Sequence, residues 1–181
     1  MTRTLLSLPL CLIVAGVALA QPKDAIKKVE ATFEPAQAKP GQTVTLKLTV
    51  ELADGYFTYP VTQPAPEAKY SVNQITFPAG GPVVFVGETV DPVGPKVKKA
   101  EDHEYLIHPG GGTWIRKAVI RPTATAGEEK LKVKFLIMVC DEDRCFPPKA
   151  HDLEATLRIQ DGPAVPVETR YKDEVETAGK K

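Results

Sequence analysis

The chain has 181 residues, and its 23 lysine and arginine residues are balanced by 23 aspartate and glutamate residues. This length predicts one domain, large enough to bury an adequate hydrophobic core without cross-links. The balanced charge gives no electrostatic reason to expect nucleic acid or an anionic membrane surface as a partner.

The first predicted element is a secretory signal peptide over residues 1–20. Arg3 precedes an apolar run from Leu5 to Leu19, and the small residues Ala18 and Ala20 end it. This order is typical of a cleaved leader, whereas a membrane-spanning helix needs roughly 20 apolar residues. We therefore predict cleavage after Ala20, a periplasmic or otherwise exported protein, and no stable membrane insertion after cleavage.

The rest of the chain alternates apolar and polar residues with a period of two, which indicates half-buried strands. The clearest strands are Thr43–Leu52, Thr113–Arg121, Lys130–Cys140 and His151–Gln160. Shorter candidates are Ile26–Phe33, Tyr56–Tyr59, Ser71–Phe77 and Val83–Val86. Turn signals separate these segments, and no long amphipathic helix is present. The pattern predicts an all-β fold, namely an immunoglobulin-like antiparallel β-sandwich.

Two polar segments lie outside this strand pattern. Residues 91–104 are polar and interrupted by proline, so we predict a long loop between strands. Residues 162–181 are polar without a sustained period, which predicts a flexible C-terminal tail. The predicted organisation is a signal peptide over 1–20, one sandwich domain over 21–161 and this tail.

The sequence VCDEDRCFPPKAHD, residues 139–152, holds the two cysteines that would remain after export. Residues five apart on one strand lie about 16 Å apart, whereas a disulfide needs Cα atoms within about 7 Å. A bond between Cys140 and Cys145 therefore requires the chain to reverse between them. Pro147 and Pro148 cannot donate to a strand ladder, so we expect pairing to resume near His151.

The same spacing bears on the purpose of such a bond. A disulfide that closes so short a loop stabilises the fold by only about 2 kcal/mol, and it would lie near an edge of the sandwich. The acidic residues of the loop disfavour a thiolate, while Arg144 favours one at Cys145. A redox-active pair, with Cys145 the more readily ionised, is one interpretation.

Two other interpretations remain open at this point. The first is a static disulfide in a non-enzymatic binding module that uses Tyr56, Tyr59 and Phe146. The second is a Cu(I) site, since soft sulfur ligands favour that ion. Its candidate ligands would be Met138, Cys140, Cys145, His151 and either His103 or His108. The histidines lack ligand spacing relative to one another, and no glycine-rich nucleotide motif follows a strand. We therefore expect no metal and no cofactor.

Two segments resemble the N-terminal periplasmic domain of the DsbD family of thiol:disulfide interchange proteins. In that family a closely spaced cysteine pair is followed by an aromatic residue and two prolines. The matching residues here are Cys140, Cys145, Phe146, Pro147 and Pro148. LADGYFTYP, residues 52–60, is similar to the aromatic segment of the family. The resemblance covers roughly Val29 to Ile159.

The resemblance implies a protein-disulfide reductase with an immunoglobulin-like fold. Cys145 would attack the partner and Cys140 would resolve the mixed disulfide. The implied surroundings of the pair are Tyr56, Tyr59, Arg144, Phe146 and Pro147. A membrane thiol reductant or thioredoxin-like protein would donate electrons, and periplasmic disulfide proteins would accept them.

This sequence departs from the family pattern in two places. Four residues separate the cysteines here, one fewer than in the best-known members. The family also covers its cysteines with a loop that carries an aromatic residue. The candidate for that loop, residues 91–104, contains no aromatic residue, although Tyr105 follows it directly.

Overall fold

The computed structural model describes residues 21–100 and 102–179. The predicted signal peptide lies outside the described residues. Within them, no helix has the length and apolar character that crossing a membrane requires.

The described part of the chain is mostly β-strand. The first six strands are β1 (Ile26–Glu34), β2 (Gln37–Ala38), β3 (Thr43–Leu52), β4 (Phe57–Thr58), β5 (Gln74–Thr76) and β6 (Val83–Val90). The others are β7 (Lys96–Lys99), β8 (Glu104–Pro109), β9 (Gly111–Ile120), β10 (Gly127–Ile137), β11 (Val139–Cys140) and β12 (Lys149–Ile159). Short 3-10 helices cover Pro66–Ala68 and Thr169–Tyr171, and one α-helix, α1, covers Lys172–Ala178.

Two four-stranded sheets form the sandwich. Their strand orders are β1-β3-β9-β6 and β2-β12-β10-β5. Both sheets contribute to one hydrophobic core, in which Trp114 of the first sheet contacts Phe135 of the second at a ring-centroid distance of 5.2 Å. The described strand pairs are antiparallel apart from β2 with β12. The prediction of an immunoglobulin-like antiparallel β-sandwich is confirmed.

The alternation of side chains explains which face of each strand is buried. In β3, Val44, Leu46, Leu48 and Val50 are each at most 1 % exposed, since successive residues of a strand point to opposite faces. In β10 the apolar residues are buried and the lysines between them lie at or near the surface. Burying each large apolar side chain contributes roughly 1.5–3 kcal/mol to stability.

A third sheet, with strand order β11-β4-β8-β7, carries the two-residue strand that contains Cys140. The prediction of a long loop over residues 91–104 was wrong. The strand β7 lies within this segment and pairs with β8 in an antiparallel hairpin. Val97 is 58 % exposed, so β7 has no buried face whose alternation would have revealed it. Pairing also resumes earlier than expected after the prolines, at Lys149 opposite Ile137.

The segment that follows β12 differs from the flexible tail that its composition predicts. Tyr171 and Val175 are buried against Val84, Val86 and Val119 on the outer face of the first sheet. They are four residues apart, so they lie on one face of the chain as it enters α1. Because α1 has seven residues, this contact leaves almost no periodic signal in the sequence.

Candidate redox site

The cysteine pair closes a tight hairpin at the edge of the third sheet. Cys140 and Cys145 form a disulfide, and their Cα atoms are 4.0 Å apart. The backbone N–H of Asp141 donates to the carbonyl of Arg144 at 2.9 Å, and that of Phe146 donates to the carbonyl of Val139 at 2.9 Å. The chain reversal that the spacing required is therefore present.

The turn of this hairpin is held by Asp141. Its Oδ1 atom accepts hydrogen bonds from the backbone N–H groups of Asp143 and Arg144, both at 2.9 Å. An aspartate that bonds the backbone ahead of it is a common turn former. The Arg144 bond, with a smaller contribution from Asp143, holds the pKa of Asp141 below its ordinary value. Asp141 is thus an ionised turn residue.

The two cysteines differ in accessibility. Cys140 is fully buried in a small apolar cluster with Phe57, Tyr59 and Ile107, whereas Cys145 is exposed. Thiol–disulfide exchange requires access to the sulfur that is attacked or that attacks. An incoming protein therefore reaches Cys145 before it can reach Cys140.

Tyr59 contacts both sulfur atoms with its hydroxyl group. The oxygen lies 3.2 Å from Sγ of Cys145 and 3.5 Å from Sγ of Cys140. Disulfide sulfurs carry no hydrogen, so the phenol is the donor, and its single hydrogen favours the shorter contact with Cys145. Burial, and then the neighbouring Tyr105, raise the pKa of Tyr59 above its ordinary value. The hydroxyl consequently stays protonated at neutral pH and remains able to donate.

The β7–β8 hairpin covers the other side of Tyr59. Tyr105 on β8 lies 6.0 Å from Tyr59 between ring centroids, and Lys98 on β7 places its Nζ atom 4.4 Å from the ring centroid of Phe57. The aromatic contact comes from Tyr105, which directly follows the segment predicted to cover the cysteines.

Three more of the predicted residues contact one another around the hairpin. The rings of Tyr56 and Phe146 are 6.4 Å apart, and the guanidinium of Arg144 lies 5.3 Å from the Phe146 ring. Phe146 is only 4 % exposed. Pro147 is exposed, and its carbonyl accepts a hydrogen bond from Nε2 of Gln21 at 3.2 Å. Of the predicted surrounding residues, Tyr59 contacts the sulfurs, and Tyr56 reaches the hairpin through Phe146.

Sequence reasoning missed Asn73 and Thr58. Both are buried, and they bond to each other and to the strand that leads into Cys140. Asn73 lies 65 residues before its partner Met138, and neither residue belongs to a local motif. The pairing of β4 with β11 places Thr58 beside Met138, and the pairing of β5 with β10 places Asn73 there.

In the part of the chain that the structure describes, no three histidine, cysteine, aspartate or glutamate side chains are grouped so that they could hold a metal ion. The two sulfurs are bonded to each other.

Replacing Tyr59 with phenylalanine should make the Cys145 thiolate harder to form. A hydrogen bond to a charged group contributes about 1.5–3 kcal/mol, so the midpoint of thiolate formation should move up by about one to two pH units. At neutral pH the thiol then reacts more slowly. The measurement is the pH dependence of alkylation of Cys145 in a Cys140→Ala background. Tyr56→Phe is the matched control, and an equal shift in both variants would contradict this role for Tyr59.

Fold and site together define an all-β sandwich with a disulfide hairpin on the edge of its third sheet. The structure is similar to the N-terminal periplasmic domain of ScsB from Proteus mirabilis, with 14 % identity, a TM-score of 0.41 and 80 % of this chain covered. The chain spans about half of that structure, 51 % of its length. It is also similar to the Neisseria meningitidis DsbD N-terminal domain in the reduced form, with 16 % identity, a TM-score of 0.39, and 78 % of this chain and 96 % of that one covered.

No protein-family model and no curated protein matches the sequence.

Proposed function

We propose that this protein is an exported thiol:disulfide interchange domain that passes reducing equivalents to other proteins through Cys140 and Cys145. The observation that carries the proposal is the unequal environment of the two sulfurs. Cys145 is exposed, Cys140 is fully buried, and a protonated phenol contacts both. This arrangement supports attack by one sulfur and resolution by the other.

In the forward reaction the Cys145 thiolate attacks a disulfide of the partner. A bond forms between Cys145 Sγ and one partner sulfur, and the other partner sulfur leaves as a thiolate that takes a proton from water. Cys140 then loses its proton and attacks Cys145 Sγ. The Cys140–Cys145 bond forms, and the second partner sulfur leaves and is protonated. The partner's disulfide has gained two electrons and two protons, and the domain's dithiol has lost them.

The neighbouring groups have separate tasks in this reaction. Tyr59 donates a hydrogen bond to the sulfur that carries negative charge, which stabilises the thiolate. Arg144 adds positive charge next to Cys145. Tyr105 and Phe57 enclose Tyr59 and exclude water from the buried sulfur.

The partners in this proposal are those that the resemblance to the DsbD family implies. Electrons pass between sulfur atoms, so the reaction needs no cofactor. The donor is a membrane thiol reductant or a thioredoxin-like protein, and the acceptors are periplasmic disulfide proteins. This assignment includes export after cleavage of the predicted leader at Ala20.

The proposal is tested by mixing the oxidised protein with an equimolar amount of a reduced thioredoxin-like protein. The thiols of Cys140 and Cys145 should become free in the native protein, as counted by alkylation and mass spectrometry. A control sample reduced in denaturant shows that the bond itself is reducible. If the native bond persists while the denatured one opens, the disulfide is static and the binding-module interpretation replaces ours.

A further inference from the structure

One buried amide joins the two chain segments that form the site. Asn73, directly before β5, has a side chain that is 1 % exposed, and Thr58 of β4 is 0 % exposed. Nδ2 of Asn73 donates to the carbonyl of Tyr59 at 2.6 Å and to Oγ1 of Thr58 at 2.9 Å. Its Oδ1 accepts from the backbone N–H of Met138 at 3.0 Å. Both ends of the amide are therefore occupied.

These bonds meet at the residue where the chain changes sheets. Met138 lies between the end of β10 at Ile137 and the start of β11 at Val139, so it belongs to neither ladder. Its N–H is bonded by Asn73, and its carbonyl accepts from Oγ1 of Thr58 at 2.7 Å. Buried backbone N–H and carbonyl groups need hydrogen-bond partners. At Met138 the side chains of Asn73 and Thr58 supply the partners that a neighbouring strand would otherwise provide.

We propose that Asn73 is a positioning residue for the exchange reaction, acting on Cys140 and Tyr59 together. It holds Met138, two residues before the buried sulfur, and the carbonyl of Tyr59, whose hydroxyl contacts that sulfur. This role rests on the proposed function of the pair.

The role matters once the disulfide has opened. In the mixed disulfide the sulfur–sulfur link between Cys140 and Cys145 is gone, and the short hairpin together with its non-covalent contacts keeps the Cys140 sulfur within reach. Cys140 attacks Cys145 Sγ, the partner's sulfur leaves with the bonding electrons, and it takes a proton from water. A sulfur held close to its target reacts at a high effective concentration, and Asn73 maintains that position.

The direct measurement is the equilibrium of the pair with glutathione, together with the rate at which Cys140 resolves a mixed disulfide between Cys145 and glutathione. For Asn73→Ala we expect the constant for disulfide formation to fall about tenfold, which corresponds to about 30 mV for a two-electron couple. The resolution rate should fall by a similar factor.

Gln63→Ala is the matched control. Its amide also bridges two segments, with Nε2 donating to the carbonyls of Ser71 at 2.8 Å and Leu106 at 2.9 Å, and Oε1 accepting from the N–H of Leu106 at 2.8 Å. None of these bonds involves Met138 or Tyr59. A purely structural loss should lower the melting temperature of both variants, but only Asn73→Ala should change the equilibrium constant by more than about twofold.

Asn73→Ser provides a second variant if the alanine variant fails to fold. Its neutral hydroxyl keeps one hydrogen-bonding group in the place of the amide and adds no buried charge, so we expect an intermediate fall of about threefold in the constant. A constant within about twofold of the parent in every folded Asn73 variant, or an equal change in Gln63→Ala, would overturn the proposal. Glutathione exchanges with any accessible disulfide, so this result is separate from the test with a thioredoxin-like protein. If the thioredoxin-like protein failed to reduce the pair, the proposed function would be refuted, but the equilibrium with glutathione could still be measured.

Discussion

Cys140→Ala should accumulate mixed disulfides between Cys145 and exported proteins, whereas Cys145→Ala should accumulate almost none. The reason is the difference in access, since Cys145 is exposed and Cys140 is 0 % exposed. With Cys140 absent, the mixed disulfide at Cys145 has no internal thiol to resolve it. With Cys145 absent, the remaining sulfur lies in the apolar cluster with Phe57, Tyr59 and Ile107.

The experiment uses both variants expressed at equal levels, acid quenching to block further exchange, and non-reducing electrophoresis. Steady exchange with a partner should fall below about 1 % of the parent rate in Cys145→Ala, because attack needs an accessible thiolate. The double variant is the control for non-specific adducts. Equal trapping by the two single variants would show that the roles assigned to the sulfurs are wrong.

Trp114→Ala should lower the free energy of unfolding by about 3–5 kcal/mol, as expected for truncating a fully buried tryptophan. The ring is 0 % exposed and contacts Phe135 and His108 edge-on, at centroid distances of 5.2 Å and 5.7 Å. Its Nε1 donates to Oδ1 of Asp91 at 2.7 Å, and that same oxygen accepts the N–H of Val61 at 2.7 Å. The Trp114→Ala variant thus leaves a cavity in the core and removes one hydrogen-bond donor from the carboxylate of Asp91.

Urea denaturation of the oxidised protein measures this loss. Trp114→Phe is the control, since it keeps an aromatic ring and loses the indole donor, at a cost of about 1–3 kcal/mol. Total stabilities are about 5–15 kcal/mol, so the alanine variant should lose a large fraction of its stability and unfold at a clearly lower urea concentration. A loss below about 1 kcal/mol would mean that the core does not depend on Trp114 as the contacts indicate.

Most of the sandwich was predictable because its strands bury one face. Thr43–Leu52 was predicted with the observed bounds, since four apolar residues alternate there with polar ones. The strand β7 was missed because Val97 and its neighbours have no buried face. The packing of Tyr171 and Val175 was missed because two apolar residues are too few to produce a recognisable helical periodicity.

The hairpin of the site was predictable from geometry, since a five-residue separation cannot be bridged on an extended strand. The residues that surround the disulfide could be only partly predicted. Tyr59 lies in a recognisable aromatic segment, but Tyr105 and Asn73 reach the site through strand register across distant parts of the chain. Register depends on the whole sheet, so local patterns do not reveal such contacts.

The measurement that tests redox exchange most directly is the reduction potential of the Cys140–Cys145 pair, determined in thiol–disulfide buffers. Structural disulfides of exported proteins lie below about −300 mV, and exchanging pairs lie higher. An exposed Cys145 beside a buried Cys140, in a loop too short to add much stability, predicts a value above that limit. A potential well below it would contradict redox exchange and would make the bond a structural one.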